Sequence, residues 1–189
     1  MNIITNYKSK KYPVGSIHAT NYFGPFEILG RTENPKCDQY VVRFISTGFI
    51  TLARTASIVK GMVKDYNVPT VFGLGFIGVG KHSSKKPDGT TTREYKLWTG
   101  MFYRCYSSDP QYANYKLRGI KVCEKWKNFQ IFCEDIKYLE GYSQWKSGYN
   151  MSLDKDLKFN GYYSKESCMF ITRAENSRGS AIRMHSDKM

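Results

Sequence analysis

The period of the apolar positions changes several times along the chain, and each change marks an element. Tyr22 to Leu29, Gln39 to Ile45 and Phe49 to Ala53 are short runs rich in Phe, Tyr, Val and Ile, the pattern of strands. Asn34-Pro35 and the tight turn Ser46-Thr47-Gly48 lie between them. Three or four such strands predict a small antiparallel sheet or an SH3-like barrel that closes near Val63. The polar and basic residues 1–14 before them predict an irregular arm. Asn67-Val68-Pro69 then breaks the pattern.

From Thr92 to Tyr106 the period becomes helical. Tyr95, Trp98, Phe102 and Cys105 recur at three and four positions, with Arg93, Lys96, Tyr103 and Arg104 on the other arcs. Pro110 ends that unit, and Arg118 to Cys123 reads as a short strand after a glycine turn. Asn128 is placed to cap a helix from Phe129 to about Leu139, which Gly141 stops. Its buried face is Phe129, Phe132, Cys133 and Ile136, and Glu134 and Asp135 fall outside. Tyr142 to Tyr149 reads as a loop. Leu153 opens a last group: a short strand presenting Asp154-Lys155-Asp156, a turn at Asn160-Gly161, a second run from Cys168 to Thr172, and a helix start at Ala174-Glu175-Asn176. The expected class is α+β. A basic arm and small β module occupies 1–64, a Gly-rich and basic connection 65–90, and a second module 91–189.

Charge gives this layout a direction. Against 16 acidic residues stand 29 basic ones, a net charge of +13, and such an excess draws polyanions, nucleic acids most commonly. Lys116, Arg118, Lys121, Lys125 and Lys127 form a run interleaved with Tyr115 and Trp126 and broken by Glu124. Basic residues alternating with rings suit phosphate contacts beside a stacking or packing surface; the plain alternative is a solvated face. Arg104, at the end of its helix, and Arg178 near the C-terminal end are further phosphate candidates. No apolar run is long enough for a membrane span, and MNIITNYKSKKY lacks the apolar segment of a secretory signal, so a cytoplasmic protein without a membrane partner is expected.

Two other chemistries fit poorly. The five cysteines, at 37, 105, 123, 133 and 168, form no CxxC pair, so core thiols are expected and no structural zinc. Gly73-Leu-Gly75-Phe-Ile-Gly78 has the spacing of a dinucleotide loop, but no long apolar helix follows it. Gly80-Lys81 is followed by His82 where a phosphate-binding loop needs Ser or Thr.

The last group carries the most specific candidate. Strand, turned loop, strand and helix can bring Asp154 and Asn176 to one cleft, where a carboxylate and an amide oxygen suit a hard cation. Both residue types are also ordinary turn and cap residues.

Residues Leu153-Asp154-Lys155-Asp156, followed by Tyr163-Ser164-Lys165-Glu166-Ser167-Cys168, resemble the HNH (ββα-metal) endonucleases, in a phage-type branch that reads Leu-Asp-Lys-Asp and Tyr-Ser-x-Glu-x-Cys. Upstream, Trp98-Thr-Gly-Met101-Phe-Tyr-Arg104-Cys105-Tyr106, the pair Tyr112 and Tyr115, Arg118 to Cys123, and Trp126 with Phe129 follow that branch in order, and the likeness runs from Tyr95 to Asn176. The resemblance implies an HNH-like ββα-metal module with accessory helices, following the small SH3-like β module expected from the strand pattern. It implies one divalent cation, Mg²⁺ or Mn²⁺, held by Asp154 and Asn176. It puts Lys155 at the position of the catalytic histidine and Ser167 at that of the asparagine that orients it. A protonated lysine cannot accept a proton, which casts Lys155 as an electrostatic or phosphate-binding group and leaves Asp156 as a further ligand or base. The implied activity is metal-dependent nicking or cutting of double-stranded DNA by a phage protein inside the host cell. The alternatives are a catalytically degenerate scaffold that binds DNA or inhibits a nuclease, and a structural phage protein packed against DNA.

Overall fold

The chain divides into two units, Met1–Val68 and Pro69–Met189, and the computed structural model describes residues 3–7, 9–33, 39–155, 161–172 and 174–176. The first unit contains β1 (Ile3–Ile4), β2 (Ile17–His18), β3 (Phe26–Thr32), β4 (Gln39–Phe44), β5 (Ile50–Arg54) and the short helix α1 (Thr55–Val59). All pairings are antiparallel, in the order β1-β3-β4-β5. β2 and β1 share one edge of β3, β2 opposite Phe26 and Glu27 and β1 opposite Arg31 and Thr32. Alternation along β3 turns Phe26 and Ile28 inward, where they meet Val42, Phe44, Ala53 and Ile58 in the core. The register slips between Ile28 and Gly30. Glycine is required there because β1 crosses it: a Cβ would lie 2.3 Å from Ile3 Cγ2. Among the described residues the path of strands is open, with no pairing of β5 to β1 or β2.

The arm expected to be irregular supplies an edge strand and part of this core. Tyr7 donates to the Tyr12 carbonyl at 2.6 Å, and Tyr12 packs edge-on against Tyr40 with ring centres 5.3 Å apart. Alternating apolar positions are too few in this arm to signal a strand, which is made by its partner β3. Asp65, 2% exposed, closes the unit by accepting from the Thr47 hydroxyl and, at 2.8 Å, from the Asn67 amide.

Residues 69–90, expected to be a connection, belong to the second unit. Val71, Leu74 and Ile77 pack on its core. The Phe76 amide donates to the Lys127 carbonyl at 2.9 Å and the Phe129 amide to the Phe76 carbonyl at 3.0 Å. The glycines make this approach possible: a Cβ on Gly75 would stand 2.9 Å from the Phe102 ring. Next come α2 (Arg93–Tyr106), α3 (Ala113–Leu117), β6 (Lys121–Val122), α4 (Phe129–Asp135), α5 (Tyr142–Lys146), β7 (Met151–Asp154), β8 (Tyr162–Tyr163) and β9 (Met169–Thr172). Residues 174–176 are helical again.

Helix α2 buries Trp98, Met101, Phe102 and Cys105, and the Thr92 hydroxyl accepts from the Tyr95 amide at its start. Asn128 caps α4 through Gln130, and the chain tightens to a 3₁₀ turn over Ile136–Tyr138, short of a regular helix to Leu139. Trp98, Trp126, Phe129, Phe132 and Ile136 form the centre, with the Trp98 indole donating to the Trp126 carbonyl at 2.7 Å. The expected loop after Gly141 is instead α5, because Trp145 turns inward and stacks on Phe170 at 4.9 Å. Five residues with one buried ring carry too little periodicity to be read as a helix. Cys105, Cys123, Cys133 and Cys168 are free thiols, and burial pushes Cys133 up to about 12 and Cys105 and Cys168 to about 11. Cys37 lies outside the described residues. No described helix is long and apolar enough to cross a membrane.

Candidate metal centre and nucleic-acid interface

Strand β7 pairs antiparallel with β9, Met151 opposite Thr172 and Asp154 opposite Met169. The helical residues 174–176 therefore begin at the Met151 end, about 10 Å along the hairpin from Asp154 at the usual strand rise. Their start is fixed by reciprocal capping. Glu175 accepts from the Thr172 amide and hydroxyl, both at 2.8 Å, and the Glu175 amide donates to the Thr172 hydroxyl at 3.3 Å. Thr172-x-x-Glu175 is legible in the sequence as a capping box, a signal that the reading of 174–176 as a helix start did not use. Asn176 follows in the first turn and is half-buried. A cation shared with Asp154 requires its side chain to reach back along the hairpin.

Asp154 is 5% exposed. Among the described residues no three His, Cys, Asp or Glu side chains converge as metal ligands. The candidate donors, the Asp154 carboxylate and the Asn176 amide oxygen, are both hard oxygen donors of the kind that Mg²⁺ or Mn²⁺ takes, and the hairpin register sets them towards opposite ends of the strand pair. Asp156 lies outside the described residues.

Lys155 occupies a different environment from that of a general base facing solvent. It is 3% exposed, and its ammonium lies 5.2 Å from the centre of the Tyr115 ring and 5.8 Å from that of Tyr163. These are cation–π distances. The Arg104 guanidinium approaches the same Tyr163 ring at 5.4 Å, and its Nε donates to the Tyr163 hydroxyl at 2.9 Å. Burial pushes the Tyr163 phenol well above its ordinary value, so it stays neutral. Ser167 is used to build the turn after β8: its hydroxyl donates to the Tyr162 carbonyl at 2.5 Å and accepts from the Ser164 amide at 3.0 Å.

The basic residues divide by burial. Lys116, Arg118, Lys121 and Lys125 are exposed, Arg104 and Lys127 half-buried, and Lys127 pairs with Glu124 at 2.7 Å. Trp126 is fully buried and donates to Asp135, so it packs and offers no stacking face. β6 runs parallel to β8, Lys121 beside Tyr162 and Val122 beside Tyr163. Lys121 and Tyr162 are exposed, whereas Val122 and Tyr163 are buried. The Lys121 amide donates to the Gly161 carbonyl at 3.2 Å and the Cys123 amide to the Tyr163 carbonyl at 3.0 Å. The basic segment is thereby tied to the turn below the candidate site. Arg178 lies outside the described residues.

A second polar cluster lies on α4. Glu134 accepts from Lys137 at 2.7 Å, His82 at 2.6 Å and Lys81 at 3.1 Å, bonds that hold its carboxyl at about 2. Gln130 takes the His82 amide and donates to the Ile77 and His82 carbonyls. A cleft of about 430 Å³ opens between Val79, Lys81 and Ile131. No family model, no curated protein and no solved structure matches the chain.

Proposed function

We propose that the second unit is a DNA-acting ββα-metal module, and that the protein is a divalent-metal-dependent endonuclease of the phage HNH type. The observation that carries this reading is the β7–β9 hairpin running into a capped helical turn, with Asp154 at the end of its first strand and Asn176 in the helix. A divalent cation bound by these two oxygens would supply Lewis acidity to a phosphoryl oxygen. The remaining roles belong to the chain. Lys116, Arg118, Lys121 and Lys125 present charge to the DNA backbone from one exposed segment. Lys155, next to Asp154 in the chain, is the electrostatic group for negative charge on the phosphate. Ring contacts to Tyr115 and Tyr163 hold its ammonium in place.

One observation favours a second reading, the same scaffold binding DNA without cutting it. The position that would carry the base holds a lysine buried under two rings. Incubation of supercoiled plasmid with Mg²⁺ or Mn²⁺ separates the two. The endonuclease converts it to nicked or linear DNA, and Asp154→Ala abolishes the conversion. Salt-sensitive DNA binding with intact plasmid selects the binding module, and activity that survives Asp154→Ala removes the metal assignment.

A further inference from the structure

Four aromatic rings form an unbroken row on the second unit. Phe72 meets Tyr103 with ring centres 5.8 Å apart, Tyr103 meets Tyr112 at 5.6 Å, and Tyr112 meets Tyr115 at 6.2 Å. The planes stand 78° to 86° apart, so each ring is held edge to face by its neighbour. Phe72 is 42% exposed and Tyr103 46%, while Tyr112 and Tyr115 are half-buried. The row ends at the candidate site. The Tyr115 ring is 5.2 Å from the Lys155 ammonium, and Lys155 follows Asp154 in the chain.

Phe72 holds its place at a conformational cost. The Leu74 amide donates to the Val71 carbonyl at 3.0 Å, which makes Phe72 and Gly73 the centre of a tight turn, with φ of 51° and 66°. Glycine takes such angles freely and Asn or Asp tolerates them, whereas a bulky side chain is strained. Among the described residues Phe72 is the one non-glycine residue with positive φ. Burial is the usual compensation for an apolar ring, and a 42%-exposed ring obtains only part of it.

The surroundings of the row select its ligand. From Arg104 to Lys121 the sequence carries Arg104, Lys116, Arg118 and Lys121 against one acid, Asp109. Asp109 accepts from the Gln111 amide at 3.1 Å and from its side chain at 2.7 Å. Lys116, Arg118 and Lys121 are exposed. Exposed rings bordered by cations suit a polyanion that also carries flat aromatic groups, an unpaired nucleic-acid strand. In a duplex the faces of the bases are already stacked on one another.

We propose that the row from Phe72 to Tyr115 is a stacking platform for the unpaired bases of single-stranded DNA. Phe72 and Tyr103 touch the bases, Tyr112 and Tyr115 hold those two rings in line, and Lys116 takes a phosphate. The inference deepens the DNA reading, on which it rests, by naming as ligand a DNA with an unpaired segment beside the candidate site. The row contains no metal ligand, so it works with the cation chelated.

The test is fluorescence anisotropy with the full chain in EDTA and three labelled probes of one length: an oligothymidylate, a duplex, and an abasic strand with the same phosphates. Phe72→Asn replaces the ring by a residue that the turn favours. It is expected to keep or raise the unfolding temperature and to weaken oligothymidylate binding about tenfold, the scale of one lost base stack. Tyr103→Ala is expected to act alike on that probe. The duplex and the abasic strand are expected to bind both variants as they bind the unaltered protein, with the same salt dependence, because no charge has changed. Undiminished oligothymidylate affinity in the folded variants overturns the platform, and so does an equal loss for all three probes. A dimer in sedimentation that Tyr103→Ala dissociates assigns the rings to a second copy and overturns it as well. Duplex binding without oligothymidylate binding overturns the platform and leaves the DNA reading standing. Oligothymidylate binding that needs both rings, in a protein that neither binds nor cuts duplex, keeps the platform and removes the double-strand reading. A protein that binds none of the probes overturns both.

Discussion

Two polar clusters in the second unit are held together in different ways. On α4, the ammonium groups of Lys81 and Lys137, together with the His82 ring, gather on the Glu134 carboxylate near the surface. Beside Tyr163, the Arg104 guanidinium rests on an aromatic face and a neutral hydroxyl, and the Lys155 ammonium lies near the same ring. A ring attracts a cation without cancelling its charge. The first group fastens a loop, residues 78–82, to a helix. The second ties the last turn of α2 to the Tyr163 ring of β8. Counting basic residues along the chain does not separate these roles; their partners do.

The sharpest way to break the contrast is to remove the ring that both cations share. Tyr163 is 1% exposed, and Tyr163→Ala is expected to destabilise the protein by about 3–5 kcal/mol, as for other large buried aromatics. Denaturant unfolding measures this, and a loss much below that range means that the ring is no keystone of the cluster. Tyr163→Phe tests the hydroxyl alone. Deleting the Arg104 hydrogen bond while leaving the ring is expected to cost about 1 kcal/mol in the same assay.

The smallest effect belongs to Glu134. Its carboxyl is held at about 2 by bonds from Lys137, His82 and Lys81, below the ordinary value of 4.5. A depressed carboxyl stabilises the fold above its unfolded value and stops doing so as pH falls through the folded one. The clasp is therefore complete above about pH 4.5 and lost towards pH 2. Amide NMR of Gly80 and His82 across that window should show the loop loosening, and Glu134→Gln should remove the transition. High salt should weaken the clasp, since Glu134 and Lys81 are solvent-exposed. An unchanged titration in Glu134→Gln would place the control elsewhere.

Much of the local structure was legible because it depends on neighbours in sequence. The aromatic stripe of α2 and the Asn128 cap of α4 lie where the periodicity and the cap chemistry put them. What was not legible depends on distant partners. β1 exists because β3 offers an edge, and residues 69–90 join a core whose rings come from Trp98 and Phe102. The candidate site divides in the same way. Asp154 at a strand end could be read from its own segment. Burial of Lys155 could not, since one of its two rings is supplied by α3 and the other by β8. Ser167 was readable only as a departure from the family pattern; its use in the Ser164 turn is a matter of three-dimensional closure.

The parallel pair β6–β8 has a consequence for the order in which the molecule assembles. Its two inter-strand bonds join Lys121 and Cys123 to residues some forty positions later, with α4, α5 and β7 in between. Closing so long a loop for two hydrogen bonds is unfavourable until the intervening helices have packed. The cluster around Tyr163 is then among the last parts to form and among the first to open. The amide protons of Lys121 and Cys123 become its clock: their exchange with deuterated solvent should outpace that of α2.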